Sequence, residues 1–426
     1  MTVQLADKLG ARASIVQKVR SPGGVEAWLV EDYAVPLVAC DFTFKGGASQ
    51  DAAGKPGTST MLSSLLDEGA GDLDSAEFHR ALDDKAIEIS FGTERDGLSG
   101  RLKTLSRNTE SAFNLLRLAL NSPRLDADAI ERVRAQLMAG LRHESKDPDA
   151  VASRAFRGSA YPGHPYGLPI RGTLESLPGV GRDDMMALYR SMLVRRDLKI
   201  AVVGAIDAET VGRMLDLAFA TLPETGDLRP VPDVALAPGG PPQVVDLDIP
   251  QSTIRFGLPG VPRKDPEHMA AVVVNHILGG GVFSARLFRE VREKRGLAYS
   301  VYSQLSNFDH SCMFAGGTST KNERAVESLT VIQEEIAKLA AEGPSEEELV
   351  KAKKFLTGSY ALRFDTSLKI ASQLVHLQTE GFDVTYLDER NGLIEAVTLD
   401  DARRVSRRML GAGPLLVTMV GRPVGA

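Results

Sequence analysis

The chain carries traces of a second copy of itself. Val203-Gly204 closes an apolar stretch, LKIAVVG, and Val420-Gly421 closes another, PLLVTMVG, 217 positions later. Glu131, Val133 and Ala135 lie on one helix-like segment. Glu348, Val350 and Ala352 lie on another at the same spacing, and Gly100 and Gly317 share it after strand-like segments. One match is chance, but three segments at one offset indicate a duplicated domain. Residues 221–243 are rich in Pro and Gly and lack an apolar period, so they read as a linker. The expected division is an N-terminal domain over 1–220, a linker over 221–243 and a C-terminal domain over 244–426.

Both halves mix helices and strands. Asp74 with Glu77 has the spacing of a capping box, and Phe78, Leu82 and Ala86 then form an apolar stripe. Ile87, Ile89 and Phe91 alternate as in a half-buried strand. Asp265-Pro266-Glu267 opens a helix lined by Met269, Val272, Val273 and Ile277, which Gly279-Gly280-Gly281 should stop. Strands follow over 297–304 and 311–316, and Ser345 with Glu348 caps another helix. The expected fold class is α+β. Two homologous tandem sandwich domains, related by internal duplication, each set a mixed, mainly antiparallel sheet against helices packed on one face.

Composition narrows the functions. A formal charge of −6 and a pI near 5.8 give no basic surface for nucleic acid. No apolar run approaches the roughly 20 residues of a membrane helix. Residues 1–10 are mixed and polar, with no signal or transit segment visible. Two cysteines, Cys40 and Cys312, exclude a disulfide framework or a Cys-rich metal site. No two of the seven histidines lie three to five residues apart, so no helical His pair is available for a metal.

The richest stretch is 276–306, HILGGGVFSARLFREVREKRGLAYSVYSQLS. Three glycines lead into a segment with Arg286, Leu287, Arg289 and Arg292, then Gly296 and Tyr299. By themselves an Arg and a Tyr at such a turn are a surface charge and a half-buried ring. In context the stretch resembles the pitrilysin/insulinase family of zinc metallopeptidases, the inverzincins. That family pairs a glycine-rich loop and an S-S-R-L segment, here Ser284-Ala285-Arg286-Leu287, with R-x6-Y ending in G-L-x-Y, here Arg292 and Tyr299. Lys55-Pro56-Gly57 resembles the end of the family's first hairpin, and residues 161–173, YPGHPYGLPIRGT, resemble its H-P-Y-G loop. The resemblance implies that Tyr299 donates to the scissile carbonyl as negative charge develops there and that Arg292 holds a peptide carbonyl or carboxylate. It further implies substrate-binding roles for Gly279, Gly280, Gly281, Phe283 and Ser284. Gly279 is equally well read as a plain helix C-cap.

The family's zinc site does not carry over. H-x-x-E-H, with two zinc-binding His and a Glu base on the first long helix, aligns with Thr60, Ser63 and Ser64. The third ligand, a downstream Glu, aligns with Gly140. Hydroxyls are poor zinc ligands beside imidazole, thiolate or carboxylate. The expectation is no metal and no cofactor in this chain, with zinc held by a homologous partner bearing H-x-x-E-H.

The implied function is the non-catalytic subunit of a heterodimeric zinc metallopeptidase. It resembles the alpha-type processing-peptidase subunit and serves short or unfolded peptides. The chain would be inactive alone, and would supply Arg292 and Tyr299 in trans. The lack of a transit segment favours a bacterial protein, soluble in cytoplasm or periplasm. Two alternatives stand beside it: a structural subunit of the respiratory-chain core type, or a peptide-binding protein without chemistry.

Overall fold

The computed structural model describes residues 13–425, so residues 1–10 lie outside the described residues. Contacts group the chain into two units. The first takes Met1–Leu141, Pro169–Pro230 and Tyr360–Glu389; the second takes Arg142–Leu168, Val231–Ser359 and Arg390–Ala426. The division thus differs from the linear one expected at the linker. Each unit takes in a helical segment from the opposite half of the sequence.

The first unit is built on a six-stranded sheet. Its strands are β1 (Gln17–Arg20), β2 (Glu26–Glu31), β3 (Leu37–Lys45), β4 (Glu88–Thr93), β5 (Gly97–Leu105) and β6 (Lys199–Gly204). The order is β1-β2-β6-β3-β5-β4, with β2–β6 the parallel pair. Val38, Cys40, Phe42 and Phe44 point from β3 into the main core. Helices Thr109–Asn121 and Ala208–Phe219 line that core through residues such as Phe113, Leu116, Leu215 and Phe219. The alternate residues Ala39, Asp41, Ala201 and Val203 are buried as well. Helix Ser367–Thr379 packs on β3 and β6. The sheet is therefore covered on both faces, where one was expected, because a lone helix buries the second face over small side chains.

The second unit repeats the plan. Strands β7 (Gln243–Val245), β8 (Gln251–Pro259), β9 (Ala298–Phe308), β10 (Ser311–Lys321) and β11 (Leu416–Val420) run in the order β7-β11-β8-β10-β9, with β7–β11 parallel. Helix Pro148–Ala160 packs on β8 and β11, with Val151 and Ala152 against Val420. A shared packing device recurs. Phe42 lies over Gly100, and Phe256 over Gly316; a Cβ on either glycine would fall 2.2 or 2.3 Å from the ring. The counterpart of Gly100 is thus Gly316, one residue short of the Gly317 that the spacing suggested.

The capping boxes at Asp74/Glu77 and Ser345/Glu348 form as expected. The linker is held at both ends. Within the first unit Arg229 bonds the carbonyls of Gln50 and Asp51; within the second Val234 and Leu236 pack with Tyr161 and Tyr166. His164 accepts from Tyr166 N at 3.1 Å and meets Pro232 O at 2.9 Å.

Candidate functional site: the glycine turn and the Arg292–Tyr299 pair

The helix stops within Gly279-Gly280-Gly281, as expected, but it does so through a π turn whose C-cap is Gly281. Helix His268–Asn275 widens into a π turn over His276–Gly280, then a 3-10 turn over Val282–Ser284, and a second π segment over Phe288–Glu293. π turns of this kind cluster at functional sites. Gly279 is needed by the protein's own backbone. A Cβ there would lie 2.6 Å from Ser303 N on β9. Ser303 Oγ also donates to Asn275 Oδ1 at 2.8 Å, so the π turn is fastened to the strand. At Gly280 a Cβ meets the mobile end of Asn275, and at Gly281 it meets the His276 carbonyl at 2.8 Å. His276 stacks on Phe355 at 4.8 Å, and burial lowers its pKa. Ser284 Oγ donates to Gly281 O at 3.0 Å, which tightens the turn.

Arg286 anchors the segment. Its Nε and Nη2 donate to both carboxylate oxygens of Glu348, at 2.8 and 2.6 Å. Burial alone would raise the Glu348 pKa, but the Arg286 fork and the Ser345 N–H outweigh it and bring it to about 2. Leu287 and Val291 drop into the core of the second unit. Their partners on the other side of the turn, Phe288 and Arg292, are then free to meet each other.

A β-bulge completes the site. Register between β10 and β9 slips between Thr318↔Val301 and Thr320↔Ala298, leaving Tyr299 and Ser300 together opposite Ser319. Both are exposed, Tyr299 at 82 %. The guanidinium carbon of Arg292 lies 4.5 Å from the Tyr299 ring centre and 4.8 Å from that of Phe288. Phe283, also exposed, meets Phe288 edge-on at 5.2 Å. The result is a continuous row of Phe283, Phe288, Arg292 and Tyr299, with Phe283 and Tyr299 exposed, Arg292 half-buried and Phe288 buried between them. Neither the Tyr299 hydroxyl nor the Arg292 guanidinium has a hydrogen-bond partner among the described residues. Such donors are available for a ligand. The structure thus gathers Arg292, Tyr299 and Phe283, and gives Gly279 and Ser284 shaping roles. Sequence reading missed Phe288 and the bulge. The paired exposed residues Tyr299-Ser300, between buried Ala298 and Val301, were the available signal.

The positions aligned with the zinc motif lie in the first unit. Helix Thr58–Ser63 has six residues, not the long helix of the family, and Ser64 is its C-cap. Thr60 Oγ1 donates to Ile170 O at 2.8 Å, and Ser63 Oγ to Thr60 O at 3.0 Å. Both hydroxyls are thus engaged by backbone. A Cβ on Gly140 would sit 3.0 Å from the Arg171 guanidinium, so a cation occupies the space beside this position. Hydroxyls, a bare glycine and a guanidinium do not suit zinc. Among the described residues no group of three or more His, Cys, Asp or Glu side chains gathers in a way that could hold a metal ion.

Comparison with known proteins agrees with the motif. Residues 179–356 match the peptidase M16 inactive domain. A crystal structure of a peptidase M16 inactive domain from Pseudomonas fluorescens superposes with a TM-score of 0.89 at 25% identity, over 96% of this chain and 98% of that one. The family match covers less than half of the chain, and the fold along nearly all of it is similar to that M16 structure. Among relatives, a non-peptidase homolog of Helicobacter pylori is 28% identical over 79% of this chain and 78% of its own length. An uncharacterized zinc protease of Streptomyces coelicolor is 25% identical over 87% of this chain and 82% of its own. No helix among the described residues is long and apolar enough to cross a membrane.

Proposed function

We propose that this chain is the non-catalytic subunit of a two-subunit zinc peptidase. It binds the substrate peptide and donates to the developing oxyanion in trans. The observation that carries the reading is the pairing of half-buried Arg292 with exposed Tyr299, whose donors are unspent while the zinc-motif positions hold Thr60, Ser63, Ser64 and Gly140. Removing the metal site and keeping donors in place leaves a chain that can only assist. A homologous partner with H-x-x-E-H would hold the zinc. The name of the H. pylori relative, a non-peptidase homolog, is consistent with a chain that does not hydrolyse peptides by itself.

On this reading Arg292 binds a peptide carbonyl or carboxylate through its fork, held in orientation by two aromatic faces. Tyr299 donates its hydroxyl to the carbonyl oxygen as charge develops there. Phe283, at the turn, offers an apolar surface to a neighbouring side chain. We further infer that the two halves arose by duplication. The matching strand orders, the two Phe–Gly pairs and the single helix laid on each second face support it.

The test is to purify the chain from its own cells and identify what accompanies it. A chain of similar length bearing H-x-x-E-H, together with peptidase activity in the pair and none in this chain alone, is expected. Activity and stoichiometric zinc in this chain alone would overturn the proposal. Tight peptide binding with no such companion favours the peptide-binding alternative.

A further inference from the structure

A groove of about 420 Å³ opens beside Tyr299 in the second unit. Its walls come from Gln251 at the start of β8, Tyr299 and Ser300 in the bulge, Ser319 and Lys321 at the end of β10, and Arg324. None of its lining residues is acidic. Three of the polar side chains, one of the two cations among them, are already used. Thr320 Oγ1 donates to Leu297 O, Ser319 Oγ meets Thr253 Oγ1 at 3.1 Å, and Arg324 is forked onto Glu327 at 2.6 and 3.0 Å. Lys321 is different. It is exposed, and its ammonium has neither an ion pair nor a hydrogen bond among the described residues. In a chain of net charge −6, this is a concave site with an unspent cation and no carboxylate among its lining residues.

We propose that the groove is a carboxylate subsite, in which Lys321 takes a negative group of the peptide bound at Arg292 and Tyr299. The proposal rests on the reading of that pair as substrate-binding. An ammonium on a flexible stem is a point charge with three donors, suited to a carboxylate that arrives in more than one orientation. The bulge puts Tyr299 in the wall of the groove as well as in the row with Arg292, so a peptide lying over Tyr299 passes the groove mouth. The carboxylate is either an Asp or Glu side chain or the C-terminus of the peptide, and both satisfy the same chemistry. Lys321 is thereby a specificity-determining residue, selecting peptides with negative charge on this side of the site.

Fluorescence anisotropy on the purified full chain tests it, with four labelled peptides that differ only in Glu or Gln at one position and in a free or amidated C-terminus. The unmodified chain should bind one carboxylate-bearing form about tenfold more tightly than its neutral counterpart. Whether the Glu/Gln or the acid/amide pair shows the difference identifies the source. Lys321→Ala should abolish the preference, and Lys321→Arg should retain it. Tyr299→Ala should weaken all four peptides alike. Equal affinities in the unmodified chain, or a preference that survives Lys321→Ala, would overturn the subsite while leaving peptide binding in place. Failure of every peptide to bind would overturn both the subsite and the reading of Arg292 and Tyr299.

Discussion

The guanidinium of Arg292 lies over the ring of Tyr299, 4.5 Å from its centre, with Phe288 on the other side at 4.8 Å. Arg292 leaves the end of a π segment and Tyr299 leaves a β-bulge. Two irregular backbone features therefore have to coincide for the pair to form. Each is fixed by contacts away from the pair, and those contacts can be tested separately.

Gly279 and Gly280 should respond differently to a methyl group. At Gly279 a Cβ would lie 2.6 Å from the Ser303 backbone nitrogen, so Gly279→Ala has to push β9 away from the π turn. A loss of about 1–3 kcal/mol is expected from such overpacking. At Gly280 the nearest neighbour is the tip of the Asn275 side chain, so Gly280→Ala should cost less, about 1 kcal/mol, the scale of the Ser303–Asn275 hydrogen bond it would disturb. Urea unfolding of the two variants measures the difference.

Arg286 and Glu348 hold the segment through a two-pronged ion pair that is mostly shielded from solvent. Glu348→Gln should destabilise the protein by about 2 kcal/mol, on the scale of a hydrogen bond to a charged group. The folded pKa of Glu348 is held near 2, below its ordinary value. Its stabilising contribution is present above the ordinary carboxylate range and is lost as pH falls through the window from about 4.5 towards 2. Thermal unfolding of the two proteins should therefore converge as pH falls through that window.

Asp51 works in the opposite sense. Burial pushes its carboxyl up to about 6, against the Ser59 and Gly57 N–H groups that favour the ionised form. A raised carboxyl binds its proton more tightly in the folded state. Its contribution is full below about pH 4 and is lost as pH rises through 6. Asp51→Asn, which cannot ionise, should flatten the change in Tm between pH 4.5 and 7 relative to the unmodified protein. An unchanged slope would remove Asp51 as its source.

How far the sequence could be read follows the local physics. The capping boxes at Asp74 and Ser345 were legible because a side chain three residues from its partner is a local device. The α+β class was visible in the alternating strands and the capped helices between them. The exchange of helical segments between the units was not visible. Helices Pro148–Ala160 and Ser367–Thr379 have amphipathic patterns that fit any nearby sheet, and spacing alone assigned each to its own half. The helix stop at Gly279-Gly280-Gly281 was legible, whereas the close approach of Ser303 to Gly279 was not, because it depends on a strand distant in sequence. The motif named Arg292 and Tyr299. The flanking ring of Phe288 emerged only once the π segment set the direction of its side chains.

On the proposed function, Arg292 and Tyr299 work in trans on a reaction this chain does not perform alone. The direct measurement is kcat/KM for peptide hydrolysis by the co-purifying H-x-x-E-H subunit, assayed by itself and with this chain added unmodified, as Tyr299→Phe or as Arg292→Ala. Addition of the unmodified chain should produce robust activity, and each variant should fall short of it by roughly 10²-fold, the scale of one lost oxyanion donor. Hydrolysis by this chain alone, or variants that support the partner as well as the unmodified chain does, would contradict the account.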